Sequence, residues 1–251
     1  RCQIFELKEN MIPTIQIKNS LQFLPNEYIE SSDGEIITLT LTNVDLELFL
    51  KHYNVKIYEY HGGYKFMGVK GLFTNYINYW THNKINAKKE GNKSLYQISK
   101  LMLNSLYGKF GTNPYVRSKF PYLDSEGVVK YGCYPVEEHK PIYIPVATFI
   151  TSYARRKTIE TSQSIKDYTL KNYNEDYYIY SDTDSIHLKK LPEEILKQFV
   201  EIDDYILGQW KIESDNIKIA KFLRQKCYIE IDENDYKNVT VAGLPKRLAK
   251  Y

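Results

Sequence analysis

Cysteine is scarce in this chain. There are three, Cys2, Cys133 and Cys227, an odd set without C-x-x-C spacing, which argues against a disulfide scaffold and a zinc knuckle and leads us to expect a reducing, cytoplasmic setting. Long apolar runs are missing too. No stretch approaches the roughly eighteen residues of a membrane helix, so no membrane partner is expected. The opening "RCQIFELKENMIPTIQIK" lacks the apolar core of a signal peptide and an initiator Met, which reads as a soluble chain that starts abruptly. Neither charge sign dominates: 34 basic against 31 acidic residues leave a net +3, and the overall field says little about partners. Internal repeats and low-complexity tracts are absent. What remains is 251 residues, 43% of them hydrophobic, enough for a real core in one large domain or in two or three subdomains.

The distribution of charge says more than its sum. Six lysines and a single Glu fall between Lys84 and Lys109, and a second basic cluster spans Lys218–Lys226, whereas acids gather at 193–204 and 230–235. Lysines interleaved with tyrosines suit a phosphate backbone and bases; a solvated helix face is the plainer alternative. Along the chain, "CQIFEL", "TIQIK" and "EIITLTL" alternate with period two and are broken by Pro13, Pro25 and Asp33-Gly34, predicting antiparallel strands. "NVDLELFLKHY" predicts a helix capped by Asn43, followed by a strand at Val55–Tyr60. Residues 72–109 read as two helices split at "KKEGNK". Prolines, Gly127 and Gly132 punctuate short strands up to Pro145, as in a protruding hairpin. A helix from Thr148 to Ile165 or beyond, a hairpin near residue 182 and a last strand near Tyr228 complete an α+β order.

On a helix, Lys93, Gln97, Lys100, Asn104 and Tyr107 of "KSLYQISKLMLNSLYGKF" fall within a wedge of roughly 80°. Leu95, Ile98, Leu101, Met102 and Leu106 are expected on the buried side, and Gly108 is expected to end the helix. Such a ladder can grip an anion with Lys, orient a sugar with Asn and stack a ring on Tyr. An ordinary amphipathic helix is the alternative.

In "YYIYSDTDSIHL", Asp182 and Asp184 stand one residue apart where a tyrosine-rich strand stops. Residues two apart in a strand face the same way, roughly 6–7 Å apart, and closer across a turn. Two bare carboxylates so close repel, and a hard divalent cation relieves that repulsion. A hydrogen-bonded Asx turn stays open as an alternative, as does the D-x-D of a glycosyltransferase. A calcium loop fits poorly, because Ile186 occupies the next ligand position.

The "YSDTDS" of 180–185, the "KLMLNSLYG" of 100–108 and the "LRQKCY" of 223–228, in this order and spacing, resemble three C-terminal signatures of family B DNA polymerases. The resemblance is to the protein-primed type of phages and linear plasmids, phi-twenty-nine-like, and "NVDLEL", "GLF…W", "FPYL" and "TSYAR" extend it over nearly the whole chain. It implies an α+β fold: a polymerase palm of antiparallel sheet with helices, helical fingers and two insertion subdomains. The implied division is a first priming-protein region (1–71), fingers (72–111), a second insertion hairpin (112–145) and palm (146–251).

The resemblance also implies roles. Asp182 and Asp184 match the palm carboxylates that hold Mg2+, two ions in a complete site with Mn2+ able to substitute, and Asp184 is expected to coordinate directly. Lys100 matches the lysine on the incoming dNTP. Asn104, Tyr107 and Gly108 match positions at the nascent base pair, and Lys84 is a further candidate for the phosphates. Lys226 and Tyr228 match a Lys-x-Tyr that holds the primer strand, and Thr151 and Arg155 match DNA-contacting positions. Primer-template DNA, dNTPs and a terminal priming protein are the implied partners, in host cytoplasm if the source is a phage. One signature of the family, an Asp followed by Ser-Leu-Tyr-Pro, has no match, and an exonuclease domain and a thumb are not visible. The chain therefore reads as a fragment, expected to be inactive alone. The alternative is a non-catalytic module that binds DNA or the priming protein.

Overall fold

The computed structural model describes residues 1–16, 28–140 and 142–244. The second half of the expected "TIQIK" strand, the break at Pro25 and the last residues assigned to the palm, 245–251, lie outside the described residues. In chain order the elements are β1 (Cys2–Leu7), α1 (Asn43–His52), β2 (Tyr53–Ile57), α2 (Thr74–Lys89), α3 (Lys93–Phe110), β3 (Tyr115–Val116), β4 (Lys119–Leu123), β5 (Val129–Cys133) and β6 (Glu137–Glu138). They continue with α4 (Pro145–Tyr173), β7 (Tyr178–Asp182), β8 (Ser185–Leu188), α5 (Glu193–Leu196), β9 (Ile217–Arg224), β10 (Cys227–Asp232) and β11 (Lys237–Val241). Every strand ladder is antiparallel. The chain divides into two compact units, residues 1–64 with 152–251, and residues 65–151. This two-way division is coarser than the fourfold division drawn from sequence.

In the first unit, β1 pairs with β2, and α1 drops its apolar stripe of Val44, Leu48 and Phe49 onto them. Cys2, Ile4, Ile15, Phe49 and Tyr53 form the buried centre, ringed by Leu7, Ile29, Ile37, Leu39, Leu41, Leu46, Val55 and Ile57. The expected strand "EIITLTL" reduces to a single bridge, Cys2↔Ile37. Its Ile37, Leu39 and Leu41 pack on the core nonetheless, because alternation reports which side chains are buried and not whether the backbone finds a ladder. The helix cap also differs. Thr42, not Asn43, caps α1, its side chain accepting from Asp45 N at 3.1 Å while its hydroxyl donates to Asp45 Oδ2 at 2.9 Å.

Helix α4 starts on Pro145, ahead of the expected Thr148, where a missing N–H costs nothing in the first turn, and runs beyond Ile165 to Tyr173, closed by left-handed Asn174 (φ 53°). Within the first unit it buries a polar stripe of Ser152, Thr158, Ser162, Gln163 and Thr169. Gln163 satisfies itself by accepting from Ile12 N (2.9 Å) and donating to Asn10 O (3.1 Å) and Asp167 (2.7 Å). The meander β9–β10–β11 and the hairpin β7–β8 make up the rest of this unit's strands.

In the second unit α2 and α3 pack together, with Tyr76 donating its hydroxyl proton to Met102 O (3.0 Å) and Phe73 meeting Phe110 at 5.6 Å. Asn92 caps α3 by accepting from Leu95 N. The helix does not stop at Gly108. It continues to Phe110, and the Thr112 hydroxyl closes it by donating to the carbonyls of Gly108 and Lys109. Hairpin β4–β5 projects almost fully exposed, as the prolines suggested. Its Phe120 ring lies across Gly132, where a Cβ would come within 2.5 Å of the ring, so any larger residue there would push the ring aside.

Candidate active site

Hairpin β7–β8 pairs Tyr178↔Leu188, Tyr180↔His187, Ser181↔Ile186 and Asp182↔Ser185, leaving Thr183-Asp184 as a two-residue turn. Thr183 takes φ +53°, an unusual state for a β-branched residue. Three contacts hold it there. Its carbonyl accepts from Thr158 Oγ1 on α4 (3.0 Å), its hydroxyl donates to Asp182 Oδ1 (2.9 Å), and Ser185 Oγ closes the turn on Asp182 O (3.1 Å). Asp182 is three-quarters buried. Asp184 is exposed and makes no hydrogen bond or ion pair with a described residue.

A second tight turn, Gln225-Lys226, joins Arg224 to Cys227 between β9 and β10, with Lys226 at φ +55°. It meets the first turn directly. Lys226 N donates to Tyr180 OH (2.8 Å), and Lys226 Nζ reaches Asp182 Oδ1 at 3.1 Å and Thr183 Oγ1 at 3.4 Å. Gln225 donates to Tyr28 OH and accepts from Gln16 Nε2, both at 2.6 Å. Burial pushes the Tyr180 phenol up to about 12, and the Asp182 charge adds to this against the opposing Lys226 N–H bond. The structure thus brings Asp182, Asp184 and Lys226 together. Behind the two turns, Tyr180, His187, Phe222 and Tyr228 form a ring cluster with centroids 5.1–5.8 Å apart. Within it His187 Nδ1 pairs with Glu230 Oε1 at 2.9 Å, and Glu230 Oε2 accepts from Asn238 Nδ2 at 3.0 Å.

Sequence reasoning missed Tyr180, Thr183, Thr158, Gln225, Tyr28, His187 and Glu230. Alternation puts Tyr228 and Glu230 on one face of β10, but which partner they meet is set by tertiary packing.

Arg155 pairs its guanidinium with Asp45, which also accepts from Ser152 Oγ (2.7 Å) and Thr42 Oγ1. Burial pushes the Asp45 carboxyl up, but the Ser152, Arg155 and Thr42 hydrogen bonds and the Arg155 charge outweigh it, so the carboxyl titrates below the usual aspartate range. A depressed folded value gives stability that is present above the unfolded value, near pH 4, and is lost as pH falls through the folded value. Asp45→Asn is therefore expected to be less stable than the parent above about pH 4, with the gap closing on acidification. Denaturant midpoints measured at pH 7 and pH 3 check this; a gap independent of pH would contradict it.

In the second unit, Lys93, Gln97, Lys100, Asn104 and Tyr107 are all exposed along α3, as the ladder requires. The opposite face is corrected. Leu95, Ser99, Met102, Leu103, Leu106 and Phe110 turn inward, whereas Ile98 and Leu101 are exposed. Lys84 is half-buried on α2. Thr151 folds its hydroxyl back onto the carbonyls of Ala147 (3.1 Å) and Thr148 (2.9 Å). Gly108 lines an open groove of about 570 Å³ with Tyr76, Ser105, Leu106, Lys109, Phe110 and Thr112. A Cβ at Gly108 would meet nothing, so Gly108→Ala should stabilise α3 by about 0.5–1 kcal/mol. Thermal unfolding of the variant checks this; an unchanged or lower midpoint would contradict it.

The family model for DNA polymerase type B, organellar and viral, matches residues 1–241. The chain belongs to this polymerase family. It is 46% identical over 232 residues to the DNA polymerase of Bacillus phage phi29, covering 92% of this chain and 37% of that protein. Identity to the DNA polymerase of Streptococcus phage Cp-1 is 40% over 246 residues, covering 95% and 40%. The solved structure of phi29 DNA polymerase complexed with primer-template DNA and incoming nucleotide substrates superposes with a TM-score of 0.78 at 39% identity, covering 99% of this chain and 44% of that one. This family B segment thus spans roughly two-fifths of the length of the curated relatives it matches. No helix among the described residues is long and apolar enough to cross a membrane.

Proposed function

We propose that this chain is the portion of a DNA-directed DNA polymerase that carries the nucleotide-binding helix and two of the metal-binding carboxylates, adding deoxynucleotides to a primer. The observation that carries the reading is the meeting of the Asp182/Asp184 turn with the Lys226 turn, joined by the 3.1 Å ion pair. The donor set fits magnesium, which favours one or two protein carboxylates with water and substrate phosphates: Asp184 is exposed, and only one oxygen of Asp182 is engaged with described side chains. Two such ions, when bound, supply activation of the primer 3′-hydroxyl and stabilisation of the departing pyrophosphate. Asp182 and Asp184 would hold them. Lys100 offsets negative charge on the triphosphate, Asn104 orients the sugar, Tyr107 stacks on the nascent pair, and Lys84 adds a second phosphate contact. Lys226 and Tyr228 hold the primer strand, while Thr151 and Arg155 border the DNA. Likeness to phage polymerases supports protein priming and strand displacement, with hairpin 112–145 around the DNA.

Among the described residues no third carboxylate, His or Cys joins the pair to form a metal-binding trio. Two negative charges face four on two ions, so we expect the chain alone to bind its ligands without extending a primer. Fluorescence anisotropy with primer-template DNA should show affinity falling steeply with salt, with little sequence preference. In the presence of Mn2+, Lys226→Ala should weaken DNA binding and Lys100→Ala chiefly nucleotide binding. Equal effects of both changes on both ligands, or salt-insensitive binding, would contradict these roles. The second reading is a binding module without chemistry; primer extension by the chain that Asp184→Asn abolishes would exclude it.

A further inference from the structure

We infer that Lys226 is an exchangeable counter-ion of Asp182, so that divalent metal and a phosphate of the primer strand bind with positive coupling through one lysine. This rests on the polymerase reading and adds regulation to its site. The Lys226 ammonium sits 3.1 Å from Asp182 Oδ1 and 3.4 Å from Thr183 Oγ1, while Asp184 has no cationic partner among the described residues. The pair is asymmetric by construction.

The turn that carries Lys226 is fixed, but its side chain is not. The backbone is held by Lys226 N on Tyr180 OH, and Gln225 is held between Tyr28 and Gln16. The lysine side chain is 52% exposed and carries its ammonium on a flexible four-carbon stem, so the ammonium can leave Asp182 with the turn in place. A divalent cation arriving at Asp182 repels an ammonium at that distance and competes for the same oxygen. Lys226 is then free for a phosphate. In reverse, a phosphate that captures Lys226 leaves Asp182 unneutralised and raises its affinity for the cation. The two effects are one coupling free energy and must be equal. A partly exposed ion pair is worth little, so the coupling is expected to be about two- to five-fold in each affinity.

Two measurements on the chain test this: Mn2+ affinity by electron paramagnetic resonance without DNA, and primer-template affinity by anisotropy in chelator. Lys226→Met should bind Mn2+ about two- to five-fold more tightly than the parent, and Lys221→Met, which removes another β9–β10 lysine charge, should not. In chelator, Asp182→Asn should bind DNA about two- to five-fold more tightly than the parent, and more tightly than Asp184→Asn. The two aspartate changes remove the same charge, but only the first releases the lysine. Lys226→Ala should cost DNA affinity with Mn2+ present and little in chelator. Equal gains from Asp182→Asn and Asp184→Asn, or unchanged Mn2+ affinity in Lys226→Met, would overturn the coupling and leave the polymerase reading standing. A parent chain that binds no Mn2+ would overturn both.

Discussion

Asp184→Asn is expected to lower the Mn2+ affinity of the chain by at least about 10- to 100-fold, the loss that follows when even an outer partner of a metal ligand is removed. The reasoning is electrostatic. Asp184 is exposed and unpaired among the described residues, so its carboxylate is held at the turn by the backbone alone, and among those residues no third acid, His or Cys joins the pair to replace it as a ligand. Asp182 by itself offers one carboxylate already sharing an oxygen with Lys226 and the Thr183 hydroxyl. A site built to relieve repulsion between two acids loses its reason when one becomes neutral. Titration of Mn2+ followed by electron paramagnetic resonance measures the change. A loss of less than about three-fold would place the ion elsewhere.

Tyr53→Phe is expected to cost about 2–4 kcal/mol of folding stability, a large share of the 5–15 kcal/mol typical of a domain. Tyr53 is 1% exposed at the end of α1. Its hydroxyl accepts from Thr14 N (2.9 Å) and Ile15 N (3.3 Å) and donates to Ile29 O (2.8 Å), so two buried N–H groups and one part-buried carbonyl depend on one oxygen. Burial raises its pKa, and the hydroxyl stays a neutral donor at ordinary pH. Removing the oxygen leaves the buried Thr14 and Ile15 N–H groups without this acceptor. The effect extends to the site, because Ile29 follows Tyr28, the partner of Gln225 in the Lys226 turn. Urea unfolding of the Phe variant checks the magnitude; a loss under about 1 kcal/mol would mean that those backbone groups find other partners.

Much of this molecule was legible where one local pattern decides the structure. The 3.6-residue period of α1, α2 and α3 and the "DTD" turn after a tyrosine-rich strand are properties of a few neighbours. The α3 ladder of Lys100, Asn104 and Tyr107 was read correctly as exposed, yet Ile98 and Leu101 were placed inside. An apolar residue on a helix is buried only if another element covers it, and α3 is covered along one narrow line through Ser99 and Leu103. Strands β9 and β11 escaped notice, since β9 is exposed along nearly its whole length and carries no burial contrast to read. The site's depth was hidden for a different reason. That Asp182 meets Lys226, and His187 meets Glu230, joins residues 44 and 43 positions apart through the packing of Tyr180, Phe222 and Tyr228, which no spacing in the chain encodes. The family resemblance supplied names for Asp182, Asp184, Lys226 and Tyr228; it gave no hint of the supporting contacts from Thr158, Gln225 and Tyr28.

The central claim is that the Thr183-Asp184 turn seats a divalent cation beside Lys226. Anomalous scattering from Mn2+ in a crystal of the chain locates the ion directly. The account predicts a peak at coordination distance from Asp184 and Asp182, with the Lys226 ammonium displaced from Asp182. A fully occupied ion elsewhere, with the Lys226–Asp182 pair intact, would contradict it.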